Sequence, residues 1–304
     1  MSAEQLRRLA IGLVILLVVW AGVSFARRTA GDKVEAFRPV RVDRAAISEV
    51  VIAGPGDTVT LAKQGAAWTV NGFPVAADLV DQLLADLADT TVTGEVVAEN
   101  RSSHERLGLD AAHAKRLTVR AGAKVLLTWL IGHRGSDYAS VYLRKENEDR
   151  VYEVKSRLAN AAERRVDDWR DKRILAVAAD SVGGLDVRRG RKGYSVERAG
   201  SGWTLGGAPA DSAAMSRWLS QLGSLQAPGF ATPAQTEAAD FGKPDRTLRI
   251  RGRKGEVLAA LAFDSTAGAF LVRLEGKPTV FRLENWTADQ ITPVDTSLKA
   301  RAKQ

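Results

Sequence analysis

Two stretches of the chain share one pattern of apolar and polar positions. An offset of 135 residues superimposes residues 47–87 on residues 182–222. The coinciding positions are Ile47 and Val182, Ile52 and Val187, Val59 and Tyr194, Leu61 and Val196, Trp68 and Trp203, Val70 and Leu205, Pro74 and Pro209, Leu84 and Leu219, and Leu87 and Leu222. The shared register predicts that one structural unit is used twice.

Each copy opens with short apolar runs separated by turn residues, which predict a meander of antiparallel strands. An amphipathic helix follows near residues 76–89 in the first copy and near residues 211–224 in the second. The predicted opening strands cover residues 47–52, 58–61, 67–70, 185–187, 194–197 and 203–205. Trp68 and Trp203 precede these helices at equivalent places, so we expect both indoles to pack between sheet and helix.

A short helix and further strands complete each copy. Ser102 and Glu105 match a capping box before Gly108, and Thr232 and Gln235 match one before Gly242. The later strands are predicted at residues 117–120, 125–131, 140–143, 151–154, 247–251, 257–263, 269–274 and 279–283, with helices at 156–169 and from Trp286 onward. Helices lie between runs of strands, so the predicted class is α+β, with two tandem homologous units of mainly antiparallel sheet.

An apolar segment precedes the repeats. Residues 9–26 carry no charge and lie between Arg7 and Arg8 on one side and Arg27 and Arg28 on the other. As a helix the segment is roughly 27 Å long, enough to cross a bilayer core once. It exceeds the apolar core of a typical signal peptide, so we expect a membrane anchor, with a cleaved signal peptide as the alternative.

These patterns divide the chain into four parts. The predicted anchor spans residues 1–28, a polar tether spans 29–45, and the two α+β repeats span 46–175 and 176–304. Both ends of the apolar segment are basic, so charge does not fix its orientation. A short amino-terminal stub is easily retained inside, and we therefore expect a single-pass protein with the bulk of the chain outside the cytoplasmic membrane.

Composition narrows the chemistry. The chain of 304 residues has 44 Lys and Arg against 36 Asp and Glu, a net charge of +8 spread along its length. This balance favours weak attraction to anionic surfaces but does not specify nucleic acid, and we expect no nucleic-acid partner. It has no cysteine, so thiol chemistry and disulfides are excluded. The spacing of His104, His113 and His133 does not suit a zinc site.

No catalytic, cofactor-binding or metal-binding residue is predicted. The sequence contains no Gly-x-Ser-x-Gly elbow and no phosphate-binding loop. Asp167, Asp168 and Asp171 lie among arginines, and we interpret this stretch as a solvated, mixed-charge helix end.

Two basic clusters flank predicted hairpins in the second copy. Alternate arginines of a strand share one face, so these clusters form a candidate contact for an anionic surface. An ordinary solvated strand face explains the same alternation. The candidate residues are Arg188, Arg189, Arg191, Arg249, Arg251 and Arg253.

Three short motifs recur in a known order. They are Gly65-Ala-Ala-Trp68-Thr-Val70, Leu107-Gly108-Leu109 and Arg170-Asp171-Lys172-Arg173-Ile174-Leu175. With the strands and helices between them, they resemble the bacterial family described as domain of unknown function 4340. The first copy has Ala111-Ala112-His113 where the family usually has a proline, and Lys243 replaces an expected leucine in the second.

The resemblance implies an envelope protein anchored in the bacterial cytoplasmic (inner) membrane, with the bulk of the chain on the periplasmic or extracytoplasmic side. The family has no established enzymatic activity and is often linked to gliding-motility-type ABC transporter components. We therefore expect a non-enzymatic protein that binds a partner, as an auxiliary subunit of an ABC-transporter-like integral membrane complex, with no small-molecule cofactor. Two alternatives stay open: an envelope hydrolase acting on cell-wall or glycan substrates, and a module that binds an anionic ligand or lipid.

Overall fold

The computed structural model describes residue 16, residues 18–21 and residues 36–300. Leu16 and residues 18–21 are helical, and their apolar side chains are exposed. No helix among the described residues is both long and apolar enough to cross a membrane. Most of the predicted anchor at residues 9–26 lies outside the described residues, as do residues 29–35 of the tether.

The chain divides into two compact units, one ending at Arg170 and one beginning at Asp171. Within the first unit, nine strands form one antiparallel sheet. These strands are β1 Glu49–Gly54, β2 Asp57–Gln64, β3 Ala67–Val70, β4 Phe73–Pro74, β5 Gly94–Ala98, β6 Lys115–Ala121, β7 Lys124–Arg134, β8 Ser140–Lys145 and β9 Val151–Lys155. The helices of this unit are α1 Ala77–Ala88, α2 Leu158–Glu163 and α3 Val166–Trp169.

The second unit also has a nine-stranded antiparallel sheet, with a separate two-stranded ladder formed by β10 and β15. Its strands are β10 Arg173–Leu175, β11 Val182–Arg189, β12 Lys192–Ala199, β13 Gly202–Leu205, β14 Ala208–Pro209, β15 Leu225–Gln226, β16 Gly229–Phe230, β17 Arg246–Gly252, β18 Val257–Thr266, β19 Ala269–Leu274 and β20 Val280–Glu284. Its helices are α4 Ser212–Gly223, α5 Pro233–Ala238 and α6 Asn285–Ile291.

The two large sheets have the same strand order. The first runs β4-β3-β2-β1-β6-β7-β8-β9-β5, and the second runs β14-β13-β12-β11-β17-β18-β19-β20-β16. In each sheet the strand that follows the long helix crosses to the far edge, beside the last strand of the unit. The predicted α+β class with mainly antiparallel sheets is confirmed.

A long helix covers one face of each sheet because its apolar residues recur every three or four positions. The buried residues of α1 are Val80, Leu83, Leu84 and Leu87, and those of α4 are Met215, Trp218, Leu219 and Leu222. Trp68 is partly buried against the first core, and Trp203 is buried in the second. The structure therefore confirms the packing role expected of these two indoles.

Three sequence expectations need correction. Residues 171–175, assigned above to the first repeat, lie in the second unit because β10 pairs with β15 there. The helix expected from Ser156 to Trp169 is two short helices, α2 and α3. The helix expected at Ser102 is only a 3-10 turn over Arg101–Ser103, because the residues after it pack across the sheet instead of continuing a helix.

Candidate functional site

Each large sheet has a second face, turned away from its long helix. In β7, Trp129 and Ile131 belong to the main core, so Leu130 between them points to this second face. There Leu130 packs with Leu107, Leu109 and Val151 in a separate buried cluster. The segment that carries the Leu107-Gly108-Leu109 motif therefore covers the second face of the first unit around Leu130 and Val151.

The second face of the second unit is open. It holds a cavity of about 670 Å³ over strands β11, β12, β17, β18 and β19. Ala260 and Ala262 of β18 form its apolar floor, and Phe241 and Pro244 stand at its side. We call this the β18 pocket.

A leucine of the first unit is replaced by an alanine in the second, which adds to the open space of the pocket. Leu130 pairs with Arg144 across β7 and β8, and Ala262 pairs with Arg273 across β18 and β19. The two positions are thus equivalent in the two sheets. The smaller side chain leaves unfilled the space that Leu130 occupies in the first unit.

Charge differs between the units on the same face. The first unit has Val51 on β1, paired with Thr60 and Thr118. The second unit has Asp186 at the equivalent place on β11, paired with Ser195 and Arg249. Positions that are uncharged in the first sheet are therefore charged in the second sheet.

Three guanidinium groups line the β18 pocket, and two of them are held in place. Arg188 donates to the carbonyl oxygens of Gly190 at 3.0 Å and Pro244 at 2.8 Å. The guanidinium carbon of Arg273 lies 4.4 Å from the centre of the Phe241 ring. Arg249 is exposed, and among the described residues its side chain makes no ion pair.

The carboxylate of Asp186 is already engaged. It accepts hydrogen bonds from Arg251 at 2.9 and 3.0 Å and from the Ser195 hydroxyl at 2.7 Å. Burial raises the pKa of Asp186, but the bonds from Arg251 and Ser195 outweigh it, and the pKa is lowered overall. Asp186 is therefore an ionised group that shares Arg251 with Glu197, and it is unsuited to accept a proton near neutral pH.

The six predicted arginines do not share one surface. Arg188 and Arg249 line the β18 pocket. Arg251 lies on the same face, as strand alternation predicts, but Asp186 and Glu197 both pair with it. Of the basic stripe expected from β17, Arg249 is exposed and forms no ion pair among the described residues, although it lies across from Asp186 on β11.

The other three arginines lie elsewhere. Arg189 projects from the opposite side of β11 and pairs with Asp289. Arg191 is exposed in the turn after β11, and Arg253 donates to the carbonyl oxygen of Asp180 at 2.6 Å.

Sequence reasoning missed Arg273 and Phe241. The signal was the equivalence of Leu130 and Ala262, but that equivalence lies beyond the part of the repeat where a fixed offset of 135 holds. Only the strand pairings align these positions.

The histidines make ordinary structural contacts. His104 Nε2 lies 2.7 Å from the carbonyl oxygen of Asp149, and His113 Nδ1 lies 2.7 Å from Asp110 Oδ1. His133 rests against Gly108, whose φ of +69° suits glycine. Among the described residues, no group of three His, Cys, Asp or Glu side chains could hold a metal ion.

The carboxylates considered for acid–base work are paired. Asp167 pairs with Arg170, Asp168 lies near Arg165, and Asp171 pairs with Arg173. All three therefore belong to local ion pairs.

A smaller cleft in the first unit carries acidic side chains. Its volume is about 430 Å³, and Glu95, Asp137 and Glu153 line it. Glu153 accepts hydrogen bonds from Ser136 and Ser140, which lower its pKa. An ionised carboxylate held in this way can stabilise positive charge but does not supply a proton.

Comparison with known proteins gives one match. The family model described as Domain of unknown function (DUF4340) matches residues 68–207. The resemblance drawn from the sequence motifs is thereby confirmed over these residues. Neither the curated proteins nor the solved structures include a match to the chain.

Proposed function

We propose that this chain is a non-enzymatic binding protein, anchored in the bacterial cytoplasmic membrane through residues 9–26, with its two α+β units on the extracytoplasmic side. The second unit contacts an anionic group of a partner through the β18 pocket. One observation carries this proposal: the second face is open and basic in the second unit, while Leu107 and Leu109 seal it in the first.

The chemistry of the pocket supports binding over catalysis. Its three guanidiniums stay protonated at any physiological pH and cannot act as bases. Asp186 is hydrogen-bonded to Arg251 and Ser195, which keeps it ionised, so it contributes charge balance and not proton transfer. Arg249 is exposed and forms no ion pair among the described residues, so its guanidinium is available to an anion.

The anchor is supported by the first residues of the structure. The uncharged run at residues 9–26 has bilayer length, and the described part of it is helical with exposed side chains. Exposed apolar side chains at residues 16 and 18–21 suit a lipid environment. A phosphatase fused after Gln304 should be active, and an inactive fusion would refute the orientation.

The matching strand orders support a duplicated scaffold in which only one copy keeps an open face. The resemblance to the DUF4340 family supports the partner: an ABC-transporter-like membrane complex, with this chain as its auxiliary subunit.

Affinity purification from detergent-solubilised membranes tests the proposal. The full-length chain should recover integral membrane proteins. The Arg249→Glu variant should lose these proteins because it reverses the positive charge that Arg249 presents in the β18 pocket. Arg191→Glu makes the same charge change outside the pocket and should keep them. Recovery of the chain alone, or equal capture by both variants, would overturn the proposal.

A second candidate function is hydrolysis of a glycan, favoured by the acidic cleft around Glu153. It ranks lower because a glycosidase needs one carboxyl group kept protonated by its surroundings, and the pKa of Glu153 is lowered. Cell-wall glycan cleavage by the purified chain that Glu153→Gln abolishes would establish this candidate over the first.

A further inference from the structure

We propose that the β18 pocket binds a phosphate ester, with the phosphate group on Arg188, Arg249 and Arg273. This rests on the proposed function, since it names the anionic group that the second unit contacts. A cavity of about 670 Å³ is the size of a small-molecule site and larger than a single ion needs. The ligand is therefore an organic molecule with one strongly anionic end.

The number of guanidiniums favours phosphate over carboxylate. One arginine fork satisfies a carboxylate through two parallel hydrogen bonds. A phosphate monoester has three terminal oxygens and a charge of about −1.5 to −2 near neutral pH, so it can engage several forks. The pocket is lined by three arginines and by two carboxylates, Asp186 and Glu275, of which Asp186 is hydrogen-bonded to Arg251.

Two of the three guanidiniums are held in place before the ligand arrives. The carbonyl oxygens of Gly190 and Pro244 fix Arg188, and the Phe241 ring supports Arg273. Side chains that are already oriented lose less conformational entropy on binding, which favours affinity. Arg249 adds an exposed positive charge that forms no ion pair among the described residues.

The rest of the pocket suits a planar or apolar body. Ala260 and Ala262 present small side chains on the floor, and the Phe241 ring stands beside them. The equivalent face of the first unit has Leu130 on its floor and is sealed by Leu107. The first unit therefore serves as an internal reference without this site.

Isothermal titration calorimetry on the full-length chain in detergent tests the proposal with phenyl phosphate, inorganic phosphate and benzoate. We expect phenyl phosphate to bind at least tenfold more tightly than benzoate, which has the same ring and a carboxylate. Inorganic phosphate should bind more weakly than phenyl phosphate because it lacks the apolar body. No phenyl phosphate binding, or equal affinity for benzoate, would overturn the proposal.

Three variants locate the site. Arg249→Gln should weaken phenyl phosphate binding at least tenfold, and Arg191→Gln should leave it unchanged. Ala262→Leu restores the side chain of the first unit and should abolish binding without any change of charge. An unchanged thermal unfolding temperature confirms that these variants are folded, and normal phenyl phosphate binding by folded Ala262→Leu would refute the assignment.

The same chemistry could come from a soluble ester or a lipid headgroup. Nanodiscs of phosphatidylcholine with and without phosphatidic acid separate the two sources. If added phosphatidic acid blocks phenyl phosphate binding, the headgroup reaches the pocket; if it does not, the natural ligand is soluble.

The outcome is separable from that of the proposed function. Partner recovery that depends on Arg249, without phenyl phosphate binding, would refute the phosphate assignment and leave the binding function standing. If phenyl phosphate binding depends on Arg249 but affinity purification recovers the chain alone, the phosphate assignment would stand and the partner-binding function would be refuted.

Discussion

Leu130→Ala should open the first unit at the position where the second unit is already open. Leu130 is 7% exposed and belongs to a satellite cluster with Leu107, Leu109 and Val151. The change removes the equivalent of three methylene groups, worth roughly 2.4 kcal/mol of transfer free energy. A residual cavity adds to this, so we expect a loss of about 3 kcal/mol from the free energy of unfolding of the first unit.

Hydrogen exchange measured by mass spectrometry gives the assay. Peptides from the segment around Leu109 should lose protection first, since this cluster is what holds the segment on the sheet. Leu258→Ala is the matched control because Leu258 is 37% exposed in β18 of the second unit. The Leu258→Ala substitution should lower the free energy of unfolding by no more than about 1 kcal/mol.

Two results would refute the reasoning. A loss below about 1 kcal/mol for Leu130→Ala would mean that the cluster contributes little packing energy. Unchanged exchange around Leu109 would mean that other contacts hold this segment in place, and the contrast between a sealed and an open unit would lose its explanation.

Other expected outcomes concern strand geometry and ion pairing. Hydrogen bonds hold the pKa of Glu153 below its ordinary value. The contribution of Glu153 to stability is therefore present above the pKa of the unfolded state and is lost as pH falls through the pKa of the folded state. Urea unfolding from pH 6 to pH 3 should show this loss of stability, and Glu153→Gln should reduce the pH dependence. A Cβ at Gly132 would collide with the carbonyl oxygen of Leu107, so Gly132→Ala should lower the unfolding temperature. Gly229 faces open space, so Gly229→Ala should leave the unfolding temperature unchanged. Equal effects of the two substitutions would contradict the close approach of Gly132 to Leu107. Arg251→Gln should cost about 1–3 kcal/mol in urea unfolding because it leaves two carboxylates without their shared partner, and a neutral result would show that water replaces the pair.

Much of the fold followed from local patterns. The buried faces of α1 and α4 are the apolar faces that their spacing predicts. Thr232 and Gln235 form the capping box that their spacing indicates, with Pro233 at the first helical position. Such features depend on residues within one helical turn, and local sequence contains all the information that they need.

The equivalent motif at Ser102 did not produce a helix. Its residues match a capping box, but burial of Leu107 and Leu109 on the sheet stabilises a tighter path than helix propensity can offset. The sequence patterns did not predict β5, because Gly94–Ala98 is short and its partner strand β9 lies far away in the sequence.

What the sequence by itself determined was the repeated order of strands and helices and the two cores, because apolar periodicity and turn residues act locally. What only the tertiary structure decided was which charges remain available. Arg249 and Arg251 look alike along the chain, yet Arg251 forms ion pairs with two carboxylates of neighbouring strands and Arg249 forms none among the described residues. The β18 pocket likewise depends on the residues that strand pairing places beside Ala262, which come from distant parts of the chain.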